Sequence, residues 1–143
     1  ESPVSQPETA KQFPYVLTTG SRRTEYFHSE HRQIKSLRKR RPDPLAEVHP
    51  DTATRHGIDN GDWIYISSAR GKIKMKAAVT TDIKKDVVNI EHGWWFPEKP
   101  APHFGVWESN ANLLTSNAPP YDSAFGSYQL RGLLCMVEKI TNH

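Results

Sequence analysis

The chain has 143 residues, 36% of them hydrophobic, which suffices for one core and leaves little for a second. No stretch approaches the roughly 20 apolar residues of a membrane helix, and no charged-then-apolar leader opens the chain. A single soluble domain is expected, its compartment left open. The net charge of +3 is unevenly spread, with Arg22, Arg23, Arg32, Lys35, Arg38, Lys39, Arg40 and Arg41 in one early stretch, so either an anionic partner or a solvated helix face is implied.

Residues 1–12 contain Ser2, Pro3, Ser5, Gln6 and Pro7 with almost nothing apolar, and read as a flexible linker before a domain over residues 13–140 and a tail at 141–143. The first strand is Pro14-Tyr15-Val16-Leu17-Thr18, stopped by Thr19-Gly20-Ser21. Ser29 is placed to cap a helix over about residues 31–40, with Ile34 and Leu37 on one face, and Pro42 and Pro44 end it. Leu45 to His49 reads as a short strand, and Pro50-Asp51 opens a short helix closed by Gly57.

Trp63-Ile64-Tyr65-Ile66-Ser67 forms the next strand, and Ala69-Arg70-Gly71 turns the chain back. In residues 72–79, Ile73, Met75, Ala77 and Val79 alternate with Lys72, Lys74, Lys76 and Ala78, the pattern of a half-buried antiparallel strand. Val87 to Ile90 is another strand. Residues 92–128 turn irregular, carrying three tryptophans and several prolines, and a loop of that length in a small domain is functional or packed against something. Leu133 to Glu138 is the last strand. Cys135, the single cysteine, lies in an apolar run and reads as a buried thiol without a catalytic role. Short strands, two short helices and frequent turns together make a small, mostly β barrel.

Four constellations carry chemistry. Thr18-Thr19-Gly20-Ser21-Arg22-Arg23 follows a strand, where glycine admits a close ligand while hydroxyls, amides and arginine forks suit a diphosphate or polar heterocycle. Tyr26-Phe27-His28-Ser29-Glu30-His31-Arg32 places two histidines three apart; with no third ligand nearby it forms no closed metal site, and a helix N-terminus beside His28 and Ser29 suits an anion better. His92-Gly93-Trp94-Trp95-Phe96-Pro97 either fills a core edge or stacks a ligand. Asn110-Ala111-Asn112-Leu113-Leu114-Thr115, with Gly126-Ser127-Tyr128-Gln129, supplies amides that read heterocycle edges. There is no nucleophile elbow, P-loop, Rossmann fingerprint or zinc-protease motif, so no catalytic residue and no metal ligand is assigned.

In order, these motifs resemble the C-terminal molybdopterin-dinucleotide-binding domain of the dimethyl sulfoxide reductase family of molybdenum and tungsten oxidoreductases. The resemblance covers about residues 13–140. It rests on Leu17-Thr18-Thr19-Gly20-Ser21-Arg22 with His28-Ser29; Val48-His49-Pro50-Asp51-Thr52-Ala53 running to Gly57-Ile58-Asp59-Asn60-Gly61-Asp62; Arg70-Gly71; His92-Gly93-Trp94-Trp95; Asn112-Leu113-Leu114-Thr115; and Val137-Glu138. It implies a double-psi β-barrel of about six strands with short helices. It also implies molybdopterin guanine dinucleotide, usually two per metal, with molybdenum or tungsten carried by the full enzyme.

By position, Thr19, Gly20, Ser21 and Arg22 or Arg23 would lie against pterin or phosphates, His28 and Ser29 beside the pterin, Asn112 and Gln129 near polar edges, and His92 and Trp94 at the interface. Ser21 stands where the commonest family opening has arginine directly after glycine, which leaves the choice between Arg22 and Arg23 open. The implied partners are the remaining domains or large subunit of a parent oxidoreductase, with an iron–sulfur subunit, and the domain alone is not catalytic. The alternative is a stand-alone anion- or nucleic-acid-binding barrel using residues 22–41, although the interleaved aromatics and motifs of nucleic-acid binders are missing.

Overall fold

A computed structural model describes residues 4–21, 23–119 and 121–141, and of Ser21 the backbone only. Arg22 therefore lies outside the described residues. The elements run α1 (Pro7–Gln12), β1 (Tyr15–Ser21), α2 (Lys35–Arg40), β2 (Leu45–Val48), α3 (Pro50–Arg55), β3 (Trp63–Ser67), β4 (Lys72–Val79), β5 (Val87–Glu91), α4 (Val106–Ser109), a 3-10 turn (Ala111–Leu114) and β6 (Leu133–Lys139).

The six strands close a barrel in the order β1-β5-β2-β4-β3-β6. Two neighbour pairs are parallel, β1 with β5 and β2 with β4, and the other four are antiparallel. Advancing each strand number by three carries the set of six pairings onto itself, exchanging β1–β5 with β2–β4 and β1–β6 with β3–β4, so the chain is two interlocked βββ halves, and the fold is a double-psi β-barrel. The barrel removes open sheet edges. Its interior is filled by Leu17, Ile64, Ile66, Ile73, Met75, Ile90, Leu133 and Val137, each at most 1% exposed. β4 alternates as its sequence requires, with Ile73, Met75 and Ala77 inward and Val79 packed at the margin. Cys135 is wholly buried, and burial pushes its thiol far above the ordinary range.

Within the segment read as a linker, residues 7–12 are helical: Pro7 pre-sets the first turn, Glu8 faces the positive helix end, and Lys11 pairs with Glu8 at 2.8 Å, although no residue of α1 is buried. Several local expectations are corrected. β1 does not stop at Thr18. It continues through Thr19 and Ser21, because Gly20 (φ +90°) is accommodated as a bulge between the Thr19–Ile90 and Ser21–Glu91 pairs. α2 begins only at Lys35, without a side-chain cap. His28 (φ +51°) and His31 (φ +73°) turn the backbone left-handed before it, so Ser29 caps nothing. His49, read as strand, instead caps α3 by accepting from the Asp51 N–H at 3.1 Å.

The long segment before β6 folds back onto the barrel. Ser109 donates to the Lys74 carbonyl at 2.6 Å and Ser68 to that of Leu114 at 3.1 Å, which pins α4 and the 3-10 turn over the β3–β4 hairpin. Gly71 makes this approach possible: a Cβ there would stand 2.6 Å from the Leu113 carbonyl oxygen. Gly71→Ala should therefore displace the 3-10 turn and lower stability by about 1–3 kcal/mol, read as a shifted urea midpoint; an unchanged midpoint would mean that residues 111–114 yield freely.

Candidate functional site

Because β1 and β5 run parallel, the loops leaving them emerge at the same end of the barrel, and antiparallel β6 brings residues 129–132 to that end as well. Three sequence-distant motifs therefore meet. Thr19, buried, donates its hydroxyl to the Leu130 carbonyl at 2.6 Å. Gly20 faces Arg131 so closely that a Cβ would lie 3.1 Å from a guanidinium nitrogen. A cleft of about 330 Å³ at the start of β6 is lined by Arg70, Ser116, Gln129 and Leu133 among others. Gln129 is exposed and donates to the Gly132 carbonyl at 3.3 Å. Asn112 is also exposed, on the 3-10 turn, where the Asn110 side chain accepts from its N–H.

The β1 and β5 exits are tied together by charge. Arg23 donates from Nε to Glu91 at 2.7 Å and from Nη2 to Glu47 at 2.8 Å, and Asn89 donates to Glu47 at 2.5 Å. Glu91 is 1% exposed; burial raises its pKa above the ordinary range although the charge and hydrogen bond of Arg23 pull the other way. Burial also pushes Glu47 up, but hydrogen bonds from Asn89 and Arg23 and the Arg23 and Arg41 charges outweigh it, and its pKa is lowered. Burial disfavours the Arg23 cation, yet Glu47 and Glu91 hold its pKa above the ordinary value.

Just beyond, His28 Nδ1 and His92 Nε2 are hydrogen-bonded at 2.8 Å. Ser29 packs on Gly93, and its carbonyl accepts from Trp95 Nε1 at 2.5 Å. Trp94 is wholly buried against Tyr26, Phe96 and Leu37 in a small second core, so its ring offers no face to a ligand and supports the loop from beneath. Arg32 and Arg38 stack on Trp94 at 4.7 and 5.1 Å. Two cations of the basic stretch are thus consumed by packing, and the exposed remainder of residues 23–41 is chiefly Lys35, Lys39 and Arg40. Among the described residues no group of three or more His, Cys, Asp or Glu is arranged to hold a metal, and no helix is long and apolar enough to cross a membrane.

Sequence reasoning missed Arg131, Arg32 and Glu91. Arg131 and Glu91 carry no local signal, since each gains meaning only from a partner far along the chain. Gly20, the exposed donors Arg131, His28 and Gln129, and the half-buried His92 that pairs with His28 fit an anionic ligand with a polar heterocycle: the glycine leaves the space a Cβ would fill, and the exposed donors supply positive and hydrogen-bonding edges.

Fold and site define a double-psi barrel domain that offers a polar, partly cationic end to an extended anionic ligand. The family model described as the molydopterin dinucleotide binding domain matches residues 15–131, and the chain belongs to that family. It is 39% identical over 131 residues to dopamine dehydroxylase of Eggerthella lenta, covering 92% of this chain and 13% of that protein. With acetylene hydratase of Syntrophotalea acetylenica it shares 31% identity over 137 residues, 92% of this chain and 19% of that one. The solved structure of acetylene hydratase from Pelobacter acetylenicus superposes with a TM-score of 0.92 at 30% identity, over 98% of this chain and 20% of that chain. This chain thus spans a fifth or less of these relatives, in which the matching segment is part of a larger subunit.

Proposed function

We propose that the end of the barrel where β1 and β5 emerge holds molybdopterin guanine dinucleotide, and that the chain serves as the C-terminal cofactor-binding domain of a molybdenum- or tungsten-dependent oxidoreductase. The observation that carries this reading is the meeting of Thr19 and Gly20 with Leu130 and Arg131 beside the His28–His92 pair, three motifs that one extended ligand would touch. Thr19, Gly20 and Ser21 lie against pterin or phosphates; His28, Ser29 and His92 flank the pterin; Asn112 and Gln129 serve polar edges. Arg23 is already committed to Glu91 and Glu47, which favours Arg22 for the phosphate contact.

When bound, the pterin dithiolenes hold the metal at which substrate exchanges an oxygen atom or electrons. The residues of this chain supply position and hydrogen bonds, and alone they perform no redox step. The remaining domains of a large subunit are the partners, joined by an iron–sulfur subunit. The loss of Arg32 and Arg38 to packing counts against the nucleic-acid alternative, which needs those charges at the surface.

Arg22→Ala in the full-length enzyme is expected to weaken cofactor retention about tenfold to a hundredfold, the effect of losing one charge-assisted contact. Pterin content after gel filtration reads it directly. Full retention would remove Arg22 from the site.

A further inference from the structure

Arg32 does something that neither its charge nor its sequence neighbourhood announces. Its side chain is 2% exposed, and its guanidinium sits in the corner made by Tyr26 and Trp94, 4.6 and 4.7 Å from the two ring centroids. The rings stand nearly perpendicular, at 85°, so each offers the cation a separate surface. From that corner Nη1 donates to the His28 carbonyl at 2.7 Å and Nη2 to the His92 carbonyl at a longer 3.4 Å. The two carbonyls belong to the loops leaving β1 and β5, and the side chains of the same two residues meet at 2.8 Å.

We infer that Arg32 is a positioning residue for the proposed cofactor site: it clamps the β1-exit loop to the β5-exit loop so that His28, Ser29 and His92 form one edge. The inference rests on the cofactor reading for what that edge faces, and on geometry alone for the clamp. Three features support it. His28 and His31, both with positive φ, hold a turn that L side chains rarely adopt, and such a turn persists only where its surroundings enforce it. The Arg32 bond to the His28 carbonyl, across four residues, closes that turn. Burial lowers the Arg32 pKa to about 10, the nearby Glu91 charge opposing the fall, so the clamp remains cationic at neutral pH. A guanidinium suits this corner, because the two arms of its planar fork reach separate carbonyls while its central carbon stays within 5 Å of both ring centroids, whereas an ammonium would have to serve both carbonyls from one nitrogen.

The experiment compares Arg32→Lys and Arg32→Met with the parent sequence. Imidazole nitrogen NMR on the chain reads the clamp, because a proton shared between His28 Nδ1 and His92 Nε2 gives a signal coupled to both rings. Cofactor content of the full-length enzyme reads its consequence. Arg32→Lys is expected to keep the barrel amide spectrum, lose the shared-proton signal, and weaken cofactor retention about tenfold or more, as the loss of an orienting partner does at other sites. Should Arg32→Met fail to fold, Arg32→Lys decides. A shared-proton signal that survives in folded Arg32→Lys overturns the clamp whatever the cofactor does. Loss of the signal with retention unchanged, in an enzyme where Arg22→Ala does weaken retention, overturns the positioning role. If neither Arg32→Lys nor Arg22→Ala alters retention, the cofactor reading fails while loss of the signal still supports the clamp.

Discussion

Arg23→Ala is expected to destabilise the domain by about 3–5 kcal/mol at pH 7, toward the lower figure because Arg23 itself is one-fifth exposed. The cost comes from what is left behind: Glu91, 1% exposed, keeps a carboxylate in the interior without its ion-pair partner. Glu47 loses one of the two hydrogen bonds that depress its pKa.

The pH dependence separates this explanation from simple loss of packing. Glu91 has a folded-state pKa raised above the unfolded value, so its contribution favours folding below the unfolded pKa and is lost as pH rises through the folded one. Glu47 has the opposite sign; its contribution is present above the unfolded pKa and is lost as pH falls through its lowered folded value. In the parent chain the two slopes oppose each other. Removing Arg23 moves both folded pKa values upward, so the variant gains stability relative to the parent as pH falls from 7 toward about 4. Urea unfolding at several pH values measures the gap, which should narrow in acid. A gap independent of pH would assign the Arg23 effect to packing.

Trp94→Ala carries a penalty of similar size for a different reason. The indole is wholly buried, and truncating a buried tryptophan costs about 3–5 kcal/mol in lost transfer energy and residual cavity. It also removes the surface on which Arg32 and Arg38 stack. Tyr26, Trp94, Phe96 and Leu37 form a cluster separate from the barrel interior, so the damage should stay local. Hydrogen exchange should show residues 24–41 and 92–99 losing protection while β3, β4 and β6 keep theirs. Trp94→Phe should cost much less, since the ring volume largely remains and the lost indole N–H has no hydrogen-bond partner among the described residues. Uniform loss of protection across the barrel would mean that the second cluster is part of the main core.

Much of the barrel is legible in the sequence because its signals are local. Alternation over residues 72–79 places Ile73, Met75 and Ala77 inward. Gly57 adopts the left-handed conformation expected after a short helix, with φ +60°. The order of motifs points to the family, whose model matches residues 15–131. Local reading fails where a distant partner overrides it. Thr19-Gly20-Ser21 has the composition of a stop and is strand, because β5 supplies a ladder on which Gly20 bulges. Ser29 has the chemistry of a cap, and its carbonyl instead receives Trp95.

The sequence by itself determined the strands, the turns, the polar loop motifs and their order, since each depends on side-chain periodicity and backbone preference within a few residues. Only the tertiary structure decided which charges face water and which are internal. Arg23 meets Glu91 across 68 positions, and Arg32 reaches His92 across 60. Whether a cation is buried depends on a counter-charge or ring brought to it by the barrel pairing, and no short-range pattern encodes that meeting.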